Sequence, residues 1–370
     1  MNKQMTDQQL LYRIALTLTP RVGAINAKNL ISYCGSVEAI FENSKRALLK
    51  IPGIGQESVH AILRKDVLTL AELEMKFLKQ HNIKTFFYLD DNYPERLKHL
   101  PDCPVLMYYK GKATLDAPKM VGIVGTRKPS PFGTRICEEL VEDLRAFNVH
   151  VISGLAYGID VTAHKKCLSL GIPTIGVLGH GLSTIYPSVH KKVAESMVEE
   201  GGLLTEFAHT YGPDAPHFPM RNRIVAGLCD ALIVVETRKK GGSMITANLA
   251  NQYHKDVFAF PGRINDKESE GCNLLIKSHK AALLESTKDL AYVMRWAGKQ
   301  KKIISQKVLF PELNTRQQKI VDLLKEKEQL NIDQLTGILS FSPSEMAGEL
   351  LELEFKGVIK SLPGKQYLLI

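Results

Sequence analysis

Residues 120–164 read MVGIVGTRKPSPFGTRICEELVEDLRAFNVHVISGLAYGIDVTAH, and this stretch decides the fold. An apolar run, Met120–Val124, leads through a glycine-bearing loop to a helical stretch over Thr134–Phe147 and then to a second apolar run, Val149–Ile152. Short β-branched runs separated by a helix fit parallel strands buried on both faces. Further runs follow at Thr174–Leu178, Leu203–Thr205, Ala231–Val235 and Val257–Phe260, with another helical stretch at Thr246–Tyr253. Residues 119–298 are therefore expected to form an α/β domain built on a Rossmann-like doubly wound parallel sheet. The loops at the carboxyl ends of its strands would carry the function.

Toward the N-terminus, residues 76–115 hold several prolines and short mixed runs, a transition of a strand or two that extends the sheet domain to 76–298, with a core of 115–298. Residues 1–75 read as short helices. IPGIGQESVHAIL (Ile51–Leu63) sets Gly53 and Gly55 in a tight turn before a helix, and TPRVGAINAKNLI (Thr19–Ile31) is a looser copy. Together they predict a helical domain of helix-hairpin-helix (SAM-like) type, whose turn amides serve either helix packing or a phosphate. Toward the C-terminus, KQKKIISQKVLFP (299–311) reads as a basic linker. Residues 312–370 follow as helix, helix, helix and hairpin, with Thr315 capping the first helix, Ser342 or Ser344 the third, and a turn at Pro363-Gly364. That is a winged-helix domain.

Composition narrows the function. The net charge is +9 and the pI about 9.1, a surplus that attracts phosphate backbones or acidic surfaces. No apolar run approaches the ~20 residues of a membrane span, and the polar start with Asp7 lacks the apolar stretch of a signal peptide, so a cytoplasmic protein without a membrane partner is expected. The six cysteines are scattered, with neither CxxC nor Cys/His spacing, so neither a metal nor a disulfide framework is expected.

Five loops carry the chemistry. VGIVGTRKPSPFG (Val121–Gly133) lacks the GxGxxG spacing, so no dinucleotide cofactor is expected; Gly125, Thr126 and Arg127 instead suit a phosphate near a helix start. In SGLAYGIDVTAH, Gly154 and Gly158 permit close backbone approach, Ser153 is a donor, Asp160 is expected to cap the next helix, and His164 to be packed in the interior. GHGLSTIYPSVHKK offers Lys191 and Lys192. FPMRNRIVAGL puts Arg221, Asn222 and Arg223 at a helix start; arginines two apart point apart, which leaves one for a structural ion pair. ETRKKGGSMITAN has Gly242 and Ser243 at another helix start, without the GxxxxGK[ST] of a P-loop. No loop combines nucleophile, base and orienting acid, so no catalytic residue is assigned and binding is the expected output.

In order, GTRKPSPFG, SGLAYGID, YPSVHKK, FPMRNRIVAGL, GGSMITA and FPG…GCNLLI resemble the DNA-processing protein A (DprA or Smf) family over about residues 85–290. The resemblance implies a cytoplasmic bacterial protein that binds single-stranded DNA during natural transformation, forms a homodimer and loads the recombinase RecA. It further implies DNA contact by Arg127, by the loop of Ser153, Gly154, Gly158 and Asp160, and by Arg221, Asn222 and Arg223. Some members carry a lysine directly after the YP pair, where this chain has Ser188; Lys191 or Lys192 is the expected substitute. Arg127, Arg221 and Arg223 are expected to converge. The dimer face is placed along Met244–Tyr253, Val257–Phe260 and Gly271–Leu284. The rival enzyme, a nucleoside-monophosphate phosphoribohydrolase, needs a PGGxGTxxE glutamate, whereas here GGSMITAN offers Asn248 and no acid.

Overall fold

A computed structural model describes residues 5–296, 313–327, 329–362 and 364–369. The linker expected at 299–311 and Pro363 of the final turn lie outside the described residues. The chain forms two units, Met1–Lys299 and Gln300–Ile370.

The first unit is built on nine strands: β1 (Lys84–Phe87), β2 (Leu106–Gly111), β3 (Met120–Val124), β4 (His150–Ser153), β5 (Thr174–Val177), β6 (Gly202–Thr205), β7 (Ala231–Val234), β8 (Asp256–Ala259) and β9 (Ala282–Leu283). Their order across the sheet is β1-β2-β6-β5-β4-β3-β7-β8-β9. From β6 to β9 all pairs are parallel, and β1 and β2 add an antiparallel edge. The chain winds outward from β3 through β4, β5 and β6, then returns beside β3 as β7 and winds the other way. The crevice between β3 and β7 is therefore the switch point at which such sheets bind ligands. Apart from half-buried His150 at the start of β4, β3 to β7 are buried along their length, as strands covered on both faces must be. Val257 to Phe260, placed on a dimer face from sequence, are sheet core, since helices cover both sides of β8.

The helical segment packs on the antiparallel edge. Leu106 and Tyr108 of β2 join a cluster with Ile14, Leu30, Ile40, Ile62 and Leu78, while Met107 and Tyr109 point into the cluster on the other face. This alternation follows from the two-residue period of a strand. The two hairpins fold as read: Gly53 has φ +80°, and Gly23 and Gly55 open the helices Ala24–Cys34 and Gln56–Arg64.

The second unit has helices Thr315–Lys327, Ile332–Leu339 and Pro343–Phe355. Its antiparallel sheet comprises β10 (Gln329–Asn331), β11 (Ile359–Leu362) and β12 (Gln366–Leu369), with β12 in the middle. Its own core contains Ile320, Leu324, Leu335, Met346, Leu350, Leu353 and Ile359. Ser342 caps the third helix in a reciprocal box with Glu345. The first helix is capped by Asn314 rather than Thr315: the Asn314 carboxamide oxygen accepts from the Arg316 and Gln317 amides, and Thr315 is already helical.

Candidate nucleic-acid interface

A cavity of about 690 Å³ opens at the carboxyl ends of β3, β4 and β7, at the switch point. The loops after β3, β4, β5, β6 and β7 and three helix starts build it. After β3, Gly125, Thr126 and Arg127 form one lip. After β4, Gly154 lies on the floor, where a Cβ would meet the Arg221 guanidinium 2.0 Å away, so only glycine leaves room for that arginine. Gly158 has φ +78° and packs against the Thr126 carbonyl, which accepts the Ile159 amide; it shapes the loop from behind and does not line the cavity.

The floor holds two buried groups of opposite charge, Arg221 and Asp160. Arg221, 4% exposed, donates to the Val177 carbonyl, and its Nε has no partner among the described residues. Burial lowers its guanidinium to about 10, against the opposing pull of Asp160, so it stays charged at neutral pH. Burial pushes the Asp160 carboxyl up, with Arg221 drawing it back. Asp160 is not the expected helix cap: the cap position is Gly158, and Asp160 sits one residue inside the helix Ile159–Leu170.

Above the floor the groups are free. Arg127 is exposed and has no carboxylate within ion-pair distance among the described residues; its guanidinium lies 5.9 Å from the Phe218 ring centre. Lys240 is likewise exposed and unpaired among them, whereas Arg238 is held by Glu268 and Lys239 lies 3.7 Å from Glu270. Between these cations starts the helix Gly242–Gln252, with no side-chain cap, so the Gly242 and Ser243 amides face the cavity. The Ser243 hydroxyl donates to Thr237 and the Thr126 hydroxyl to Glu268, so both residues contribute backbone rather than side chain. Asn222 lines the wall, 3.5 Å from the Gly242 carbonyl.

Besides Gly158, three expected contacts lie outside the cavity lining. Ser153 is fully buried and donates to the Ile123 carbonyl at 2.6 Å, stapling β4 to β3 instead of meeting a ligand. Arg223 does not converge with Arg127 and Arg221. Two residues along the helix turn it by about 200°, and it is spent on Glu206 and on the Asp102 carbonyl at 2.5 Å. Lys191 is exposed at the start of the helix Lys191–Glu200, outside the cavity lining. His164 is packed as expected, with Nδ1 2.7 Å from the Thr174 hydroxyl. Conversely, Tyr186 and Phe218, 5.8 Å apart between ring centres, line the cavity and were given no role from sequence. The signal was an aromatic residue directly before proline in two cation-bearing loops, Tyr186-Pro187 and Phe218-Pro219. Cations, free amides, an exposed Tyr186 ring and a half-buried Phe218 ring in one concavity suit phosphates and flat bases together. Among the described residues no cluster of His, Cys, Asp and Glu could hold a metal ion, and no helix is long and apolar enough to cross a membrane.

Comparison with known proteins agrees with this architecture. Residues 84–295 match the family model for DNA recombination-mediator protein A, and residues 310–365 match the DprA winged helix domain. Protein Smf of Synechocystis is 30% identical, with 98% of this chain and 99% of that protein aligned. The X-ray structure of DNA processing protein A from Streptococcus pneumoniae superposes with a TM-score of 0.65 at 31% identity, covering 78% of this chain and 98% of that one. A structure of DNA processing protein A from Helicobacter pylori, described for its single-stranded DNA binding mode, gives 0.53 at 31% identity over 58% of this chain and 95% of that one. With the switch-point cavity, the ordered loop motifs and the winged helix all in place, the chain belongs to the DNA recombination-mediator protein A (DprA/Smf) family.

Proposed function

We propose that this chain holds single-stranded DNA in the switch-point cavity and delivers it to RecA during transformation, acting as a dimer and without a covalent step. The observation that carries the binding is the pairing of Arg127 and Lys240, two cations without an ion-pair partner among the described residues, with the uncapped start of the helix Gly242–Gln252. Phosphates would sit on these groups, and bases against Tyr186 and Phe218. Single strands suit the cavity because their backbone can bend into a concave site and expose base faces, which a duplex keeps stacked. Gly125, Thr126, Gly154, Asp160, Arg221, Asn222 and Ser243 shape the site; Ser153, Gly158 and Arg223 act behind it. The single-strand binding described for the Helicobacter pylori relative supports this reading.

RecA loading and dimerisation rest on the family. Exposed Leu274 and Leu283, beside and on the edge strand β9, make that edge the proposed dimer face. The phosphoribohydrolase alternative needs a carboxylate free to reach a ribosyl bond. Asp160, the one acid among the described lining residues, is buried against Arg221 instead. The test is titration of the full chain against single- and double-stranded DNA at several salt concentrations. It is followed by RecA filament nucleation on strands precoated with single-strand binding protein. Equal or tighter duplex binding overturns the single-strand reading; nucleation no faster on demonstrably coated DNA removes the delivery step.

A further inference from the structure

One buried carboxylate outside the cavity has no role in the reading above. Glu74, 2% exposed, belongs to the helix Asp66–Gln80 and lies 135 residues before its partner, His209, in sequence. Its oxygens accept the His209 backbone amide at 2.9 and 3.1 Å, and one of them also takes the His209 ring Nδ1–H. Phe77, one turn further along the same helix, stacks on the His209 ring at 4.3 Å with 15° between planes. Burial pushes the Glu74 carboxyl up, and the His209 contacts pull it back. A helix of the N-terminal segment thus grips one residue of the connection between β6 and the helix His217–Leu228.

That connection is the cavity wall. From His209 it runs through Tyr211, whose carbonyl accepts the Gly181 amide at 2.9 Å, to Pro213 and Ala215, which line the cavity. The His209 carbonyl accepts from the Ser183 hydroxyl at 2.6 Å, and the Phe207 ring lies tilted against the His217 ring at 4.3 Å. Phe218 and Arg221 follow directly. The wall residues Gly212 to Pro216 are exposed, so contacts at the two ends of the connection must set their position.

We propose that Glu74 is a positioning residue for the cavity: through His209 it fixes the 206–216 wall, so that the N-terminal helical segment sets single-strand affinity without touching DNA. This rests on the cavity being the single-strand site. A wall that must be ordered on binding weakens the complex, whereas a wall already ordered does not.

The full chain is titrated with oligo-dT at several salt concentrations. Glu74→Ala is expected to bind about fivefold more weakly, the scale of ordering a loop residue or two. Its dependence of log affinity on log salt should be unchanged because no phosphate contact is lost, whereas Arg127→Ala flattens that slope by about 0.7. Glu74→Gln, which keeps an oxygen for the His209 amide, is expected to recover most of the affinity. A folded Glu74→Ala with wild-type affinity, or one whose salt slope flattens like that of Arg127→Ala, overturns the proposal. Should Glu74→Ala fail to fold, His209→Ala removes the ring contacts at a partly exposed position. It is expected to lose about threefold by the same ordering cost; wild-type affinity there overturns the proposal equally. Amide hydrogen exchange at His209 and Gly181 reads the brace without DNA. Faster exchange in the variant is required, and unchanged exchange sinks the brace even if the wild-type chain binds no DNA. Absence of DNA binding by the wild type sinks the functional reading separately.

Discussion

The switch-point cavity and the third helix of the winged helix use charge in opposite ways. In the cavity, Arg127 and Lys240 have no ion-pair partner among the described residues and stand beside a helix start left uncapped. On the helix Pro343–Phe355, four glutamates point outward in a position where a groove-reading helix would carry cations. Each is engaged within its own unit: Glu345 with Ser342 and Arg316, Glu349 with Asn314, Glu352 with Gln317, and Glu354 with Ser361. Between them Leu351 and Phe355 are exposed, Phe355 at 85%. Residues 312–370 hold nine acids against seven bases, so the positive surplus of the chain resides wholly in 1–311. A winged-helix fold by itself therefore does not make this unit the nucleic-acid site; in the function proposed above, the charge at the cavity takes that role. We expect the C-terminal unit to meet a protein surface instead.

The largest effect expected is at the cavity floor. Arg221→Ala leaves Asp160 buried without its counter-charge, which should cost about 3 kcal/mol of stability and abolish single-strand binding. Urea melts and DNA titration check both, and a stable variant that binds normally would break the comparison at its root. Next come two arginines that separate site from scaffold. Arg127→Ala should weaken single-strand binding about tenfold with the fold intact, as for loss of one charge-assisted contact. Arg223→Ala should do the reverse, destabilising the chain because Glu206 loses its partner while the folded fraction binds as before. Equal loss of affinity in both would return Arg223 to the site.

A third measurement uses pH. Burial holds the His164 imidazole down to about 3, with Arg221 and His190 adding to the effect. Because the folded value lies below the unfolded one, the unfolded chain binds the extra proton between these values. The stability is present above about pH 6.5 and is lost as pH falls toward 3, by up to about 1.4 kcal/mol per unit. Residues 312–370 contain no histidine, so an unfolding series in pH should show this loss in the first unit and not in the isolated second one. A His164→Gln chain with the same acid sensitivity as wild type would assign the loss elsewhere. The smallest effect is the sharpest for the comparison: the fragment 312–370, which has its own core, should show no duplex binding at physiological salt. A clear binding isotherm would put the winged helix back among the DNA contacts.

Much of the fold was legible because parallel strands buried on both faces leave uninterrupted apolar runs, and β3 to β8 each lie within a residue or two of such a run. β1 and β2 were expected only as a strand or two somewhere in 76–115, and β9 and β10 were not placed. At an edge, or in a strand of three residues, the apolar pattern is too short or too mixed to stand out. Of the site, the loops were legible as motifs, but a motif gives residue identity and not direction. Ser153 and Arg223 sit within such motifs and face inward; Lys240, Tyr186 and Phe218 were present in quoted loops and face the cavity.

The amino-acid sequence by itself determined the parallel sheet, the order of its loops, the helical segments on either side and the sign of the charge available to each. Those depend on local pattern and composition, which survive without coordinates. Which cations remain free was decided only by the tertiary structure. That outcome turns on whether an acid distant in sequence, such as Glu206 for Arg223 or Glu268 for Arg238, folds to within ion-pair distance. The coupling of Glu74 to the cavity wall has the same origin: a helix and a loop far apart in the chain meet only because β1 and β2 carry the helical segment onto the edge of the sheet.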